Sequence, residues 1–276
     1  MNIDIFTKIF VVLFLLFLLN SCEDVIDVDL NSSAPKIVID AQISQEGIVK
    51  ITNTTDFYKP GNYTPIRNAI VSVNDDIGNK YSFHETSPGI YICNNTNIDK
   101  PGHKYFMKIV AEKTEYKAIS QMPNYVILDS LSLEKAPSKP HEEGLGNYFI
   151  HAYFQDEPGV KNYCRFKLYR NGFPLTGFTL YRDKLMDGNY IDFKILVDTE
   201  ISKIKLGDII TVELMSIDEA AYYFYKTATS VNASASSGRP TTGSVAPANP
   251  VTNWNNDALG VFVAYTATKK RIKIVR

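Results

Sequence analysis

The chain has 276 residues, with 29 Lys plus Arg against 30 Asp plus Glu, a formal net charge of -1 and an isoelectric point near 6.4. That balance provides no basic field for nucleic-acid phosphates, and an apolar fraction of 45% excludes a chain too polar to bury a core. Three cysteines are too few for a disulfide-stapled miniprotein or a cysteine-rich zinc module.

The first element is not part of the fold. Lys8 precedes eleven unbroken apolar residues, Ile9 through Leu19, and then come Asn20, Ser21 and Cys22. A run that short cannot cross a hydrocarbon core, which needs about 20 residues, so it reads as the apolar region of a signal peptide spanning residues 1–21. Leu19-Asn20-Ser21-Cys22 resembles the lipobox of bacterial lipoproteins, in which the cysteine becomes the lipidated first residue of the mature chain. Cys22 is therefore the expected lipidation site, and two or three acyl chains there would anchor the protein to a membrane without spanning it. Residues 22–35, with Glu23, Asp24, Asp27 and Asp29 among Val and Ile, read as an acidic tether able to reach about 45 Å when extended. Similar acidic stretches in Bacteroidota lipoproteins direct export to the cell surface, so surface display at the outer membrane is expected, with its periplasmic face as the alternative.

From Lys36 onward the period is that of strands. Ile37–Ile43, Ile48–Ile51, Ala69–Val73, Lys80–Phe83, Ile90–Cys93 and Tyr105–Val110 are β-branched or alternating, and Gly47, Asp75-Asp76, Gly78, Pro88-Gly89 and Pro101-Gly102 punctuate them. Residues 36–122 should form an immunoglobulin-like or transthyretin-like sandwich. Pro123, Pro137 and Pro140 mark a boundary, and residues 123–276 read as a second β-rich domain with strands at 125–133, 148–154, 163–169, 190–197, 209–215, 259–265 and 271–275. One helix interrupts it: Ile217, Ala221, Phe224, Ala228 and Val231 recur at helical spacing, and Ser216 with Glu219 are placed as a capping box, giving a helix near 217–232. Tyr222–Tyr225 are consecutive aromatics that 100° steps distribute around the axis, so at least one should be exposed. Residues 234–257 read as a long polar loop. The fold class is mainly β with one helix.

Over nearly its full length the chain resembles the Bacteroidota lipoproteins grouped as domain of unknown function 4249. The resemblance rests on Cys22-Glu23-Asp24-Val25-Ile26-Asp27-Val28-Asp29-Leu30 with Pro35 and the strand after it, on Ser216-Ile217-Asp218-Glu219-Ala220-Ala221-Tyr222 opening a helix, and on Asn255–Phe262 before the last strands. It implies an outer-membrane lipoprotein, often encoded beside a TonB-dependent receptor, with no established catalytic residues.

The residues themselves suggest no reaction. The four histidines, His84, His103, His141 and His151, form no metal-ligating pair at short spacing, and GxSxG, HExxH and P-loop patterns are absent from the sequence. Asp156 and Glu157 are adjacent and would point to opposite sides of a strand end, and Asp75-Asp76 suit a hairpin turn better than a calcium loop. No enzyme, cofactor, metal or nucleic-acid partner is expected. Cys93 and Cys164 lie in different modules and are expected to be buried thiols rather than a disulfide. Exposed aromatics are the candidates for recognition: Tyr58 and Tyr63 on a turn-rich insertion, and Trp254 flanked by Asn253 and Asn255, unless its ring folds back to pin the loop. The function expected is that of an accessory or binding lipoprotein working with a TonB-dependent receptor in nutrient uptake; the alternative is a structural or adhesive surface module without a small-molecule ligand.

Overall fold

The computed structural model describes residues 34–275 except 56–60, 62, 95–97, 136–147, 184–185, 198–203 and 237–248, and only the backbone of 230–236. The signal peptide, Cys22, most of the tether and Tyr58 lie outside the described residues, as do residues 237–248 of the expected 234–257 loop.

Two sandwiches are built from four sheets. The chain runs through β1 (Ile37–Ile43), β2 (Gly47–Asn53), β3 (Ile70–Asp75), β4 (Lys80–Ser82), β5 (His84–Ser87), β6 (Ile90–Cys93), β7 (Lys104–Ala111) and β8 (Thr114–Gln121). It continues through β9 (Leu128–Lys135), β10 (Tyr148–Gln155), β11 (Tyr163–Arg170), β12 (Phe173–Pro174), β13 (Thr179–Arg182), β14 (Tyr190–Val197) and β15 (Ile209–Ile217). The helix α1 (Glu219–Ser236) follows, and β16 (Leu259–Ala264) and β17 (Thr266–Lys273) end the fold.

The first sandwich faces a sheet ordered β16-β1-β2-β6-β5 against one ordered β4-β3-β7-β8. Strand periodicity explains why: in β7 Tyr105, Met107, Ile109 and Ala111 point inward while Lys104, Phe106 and Lys108 point out. Ile39, Ile51, Tyr91, Tyr105 and Met107 are fully buried between the two sheets. The second sandwich faces β14-β10-β9 against β12-β11-β15-β17, with β13 paired to β11, around Phe154, Phe166, Ile195, Val212 and Leu214. A third cluster covers the other face of that second sheet, where Met215 and Ile217 of β15 meet Ala221, Tyr222 and Tyr225 of α1 and Val261 and Val263 of β16.

β16 joins all of this. It was expected in the second domain, yet it pairs in parallel with β1, in register Val38↔Leu259 to Ile43↔Ala264. Phe262 and Ala264 enter the first core while Val261 and Val263 enter the third cluster, so its unbroken apolar run is that of a strand buried on both faces. Its entry needs Gly260: φ there is 94°, and a Cβ would lie 2.1 Å from the Ile39 carbonyl oxygen. Trp254 lies beside it, buried at 5% exposure, with its indole N–H donating to the same Ile39 oxygen at 3.1 Å. The chain therefore leaves the first sandwich after β8 and returns to it before the end, so a boundary at 123 divides the sequence but not the structure.

Other differences have local causes. α1 starts at Glu219 because Asp218, not Ser216, is the cap: its Oδ1 accepts the Ala221 N–H at 2.8 Å. Ser216 and Ile217 belong to β15, and the Ser216 hydroxyl accepts the Val126 N–H. Tyr222 and Tyr225 face inward and Tyr223 is exposed, as helical geometry requires. β8 was not anticipated, because its inward residues after Tyr116 are the small Ala118 and Ser120, and the turn before it uses Glu112 and Lys113 at φ 49° and 67° instead of Asn-Gly. β17 begins at Thr266, five residues before the strand expected at 271. Cys93 and Cys164 are free, buried thiols in different cores.

Gly260→Ala should cost about 3 kcal/mol or more by urea denaturation, since it combines backbone strain with a collision against a buried carbonyl. Trp254→Ala should cost about 3–5 kcal/mol, and Trp254→Phe less, because only the second keeps most of the ring volume.

Candidate functional site

Tyr265 is the single residue between β16 in one sandwich and β17 in the other, and its N–H donates to the Ile43 carbonyl at 3.0 Å. A cleft of about 510 Å³ opens beside it. One wall is the β1–β2 turn, with Gln42, Ser44, Gln45, Glu46 and Ile48; the other is Glu213 of β15 with Ala267 and Lys269 of β17, and Tyr125 lies on the segment joining the sandwiches. The size is that of a small-ligand site, but the lining is unusually polar.

From the Glu213 and Lys269 wall a row of charges fixed by strand register runs on across the sheet. Lys167 of β11 lies across from Glu213, and Glu213 across from Lys269. Glu213 is buried, and its two oxygens are committed: Oε2 accepts the Tyr169 hydroxyl at 2.6 Å, and Oε1 pairs with the Lys269 ammonium at 3.0 Å. Burial pushes the Tyr265 phenol up to about 12, with the Glu213 charge adding to it. The Lys167 ammonium is drawn below its ordinary value, first by burial and then by Arg165. Arg165 is clamped between aromatic rings, its guanidinium 4.0 Å from the Tyr225 centroid and 4.5 Å from that of Phe178, an arrangement suited to a partly desolvated cation. At the other end the Tyr125 hydroxyl donates to Asp99 Oδ2 at 2.6 Å, and burial together with that bond pushes it up to about 12.

Because Glu213 is already paired, the acid that the cleft offers a visitor is the exposed Glu46, beside amides, a serine hydroxyl and the Tyr265 phenol. Among the described residues its lining contains no histidine or cysteine. Such a surface suits hydrogen bonding to a polar solute.

The residues singled out from the sequence are not brought together here. Tyr63 is 58% exposed, on the insertion after β2, and so remains available as a contact. Trp254 is the pin described above, and its ring is not presented for recognition. The cleft itself went unread, because its walls are more than 150 positions apart in sequence. One signal was available: Glu213 is the lone charge in Ile209–Met215, a segment otherwise apolar except for Thr211. Asp75 closes the β3–β4 turn by accepting the Asn79 N–H, and Asp76 ties that turn to β7 by accepting the Lys104 N–H.

The chain matches the model of the family described as Domain of unknown function (DUF4249) over residues 23–271. It belongs to that family. The match begins one residue after Cys22 and ends within β17, so it takes in both sandwiches and the returning strand. No curated protein matches the chain. No described helix is long and apolar enough to cross a membrane.

Above pH 10 stability should fall, because the unfolded chain releases tyrosine protons near 10 while Tyr265 holds its own to about 12. The native state then binds more protons than the unfolded one, so raising the pH favours unfolding. Tyr265→Phe should flatten the slope between pH 10 and 12 by up to about 1.4 kcal/mol per pH unit, measured by urea denaturation at each pH.

Proposed function

We propose that this protein is a lipid-anchored accessory or binding component of the outer membrane, working with a TonB-dependent receptor in nutrient uptake and displayed at the cell surface. Its lipid is carried on Cys22. The observation that best supports a binding role is the polar cleft at Tyr265, where residues from both sandwiches face one solvent-filled space. Supporting the address are the eleven-residue apolar segment ending at Leu19-Asn20-Ser21-Cys22 and the acidic residues behind it. Exposed Tyr63 at the edge of the first sandwich is a second contact of the kind that receptor-facing loops provide.

Two measurements test this reading. Cys22→Ala should release the protein from membrane fractions or leave its signal peptide uncleaved; a variant that is still processed normally and membrane-bound removes the anchor from the proposal. The native, detergent-extracted protein should co-purify with a TonB-dependent receptor in stoichiometric amount, and its absence would favour the structural or adhesive alternative.

A further inference from the structure

At one end of the second sandwich the β10–β11 and β13–β14 connections meet. The Asp183 N–H donates to the Asn162 carbonyl and the Asp156 N–H to that of Asn189, both at 3.0 Å. These ladders bring Asp156, Asp183 and Asp187 together, with one oxygen of each lying within 4.8 Å of the others. Asp156 is 1% exposed, Asp183 is half-buried and Asp187 is exposed. Among the described residues none of the three has a salt-bridge partner, and only neutral N–H groups donate to them.

A second observation is independent of the acids. Tyr181 is 8% exposed, and its hydroxyl is buried with no hydrogen-bond partner. Its ring packs edge-on against Phe154, two residues before Asp156, with centroids 5.2 Å apart, and Asp183 lies two residues beyond it on the same face of the chain. After burial itself, the charges of Asp156 and then Asp183 act most strongly on this phenol and raise it further. An unpaired buried hydroxyl is destabilising unless something outside the protein satisfies it.

We propose that Asp156, Asp183 and Asp187 form a calcium site, with the Tyr181 hydroxyl facing the ion or a water bound to it. All donors are hard oxygens, which suits calcium or magnesium over softer metals. Oxygens within 4.8 Å of one another can be bridged by calcium at bond lengths of about 2.3–2.6 Å, and carboxylates supplied by several loops suit its flexible coordination better than magnesium's strict octahedron of mostly water ligands. The carboxylates retain lone pairs for it: Asp156 gives one oxygen to the Asn162 amide and the other to the Gly188 N–H, and Asp187 Oδ1 accepts the Gly159 N–H. Bound there, the ion ties β10 and β14 of one sheet to β11 and β13 of the other.

The test uses the mature chain, stripped with EGTA and then titrated with calcium or magnesium chloride at constant ionic strength. Calcium should bind one ion per chain by calorimetry with a dissociation constant of about 10⁻⁴–10⁻³ M, as in extracellular modules, and 10 mM should raise the melting temperature by a few degrees. The double variant Asp183→Asn/Asp187→Asn, altered at two positions that are not buried, should keep the wild-type circular dichroism, lose the calcium response and melt no lower than calcium-free wild type. If the double variant fails to fold, Asp187→Asn alone should weaken calcium binding at least tenfold. The assignment is overturned if calcium leaves wild type unchanged, if the Asn variant responds as wild type does, or if magnesium acts equally at equal concentration.

Discussion

The Ile39 peptide carries more of this structure than any other single group. Its carbonyl accepts the Trp254 indole N–H, and the Gly260 backbone approaches the same oxygen closely enough that no β-carbon fits between them. That approach seats β16 beside β1, and the two-faced burial of β16 then joins the first core to the cluster beneath α1. Without it, the links between the sandwiches among the described residues would come down to the segment after β8 with its hydrogen bonds, the packing of α1 and the contacts of Asp218 with β8. Apolar burial supplies the driving force, but a missing side chain determines where that force can act.

Polar contacts reinforce the same junction. The Ser120 hydroxyl of β8 donates to Asp218 at 2.6 Å and accepts the Ala264 N–H at 2.8 Å, and Asp218 also receives the N–H groups of Gln121 and Ala221. One carboxylate thus caps α1 and holds β8, and through Ser120 it reaches β16. Burial raises the pKa of Asp218 even against those bonds, which places it in a poorly hydrated position. A small residue at 120 and an acid at 218 are therefore matched choices, although the sequence separates them by 98 positions.

Local patterns made most strands and the helix legible. β-Branched residues identified β1, alternation β3 and a preceding Pro-Gly turn β7, and helical spacing identified α1 to within a few residues, because such signals need only near neighbours. What could not be read was pairing. Nothing in Leu259–Ala264 says which sheet it enters, and Glu112-Lys113 turns the chain without the residues that usually announce a tight hairpin. Asn171-Gly172, by contrast, sits at φ 48° and 89° between β11 and β12, a legible turn signal that was passed over. The aromatic criterion separated Tyr63 from Trp254 only after burial was known. The aspartate trio was invisible for the reason the cleft was: its members converge through sheet register, not through spacing.

The return of β16 also sets an order of events during synthesis. Ile39 and Trp254 are 215 positions apart, so the first sandwich, although translated first, cannot complete its core until nearly the whole chain has emerged. Until then β1 has a free edge, and the Ile39 surface that Trp254 and Phe262 will cover is open to water or to other chains. Contacts this distant make completion slow compared with the hairpins on either side, because the loop-closure entropy must be overcome before the pairing stabilises anything. The N-terminal half therefore remains an unfinished template until residues 254–264 reach it.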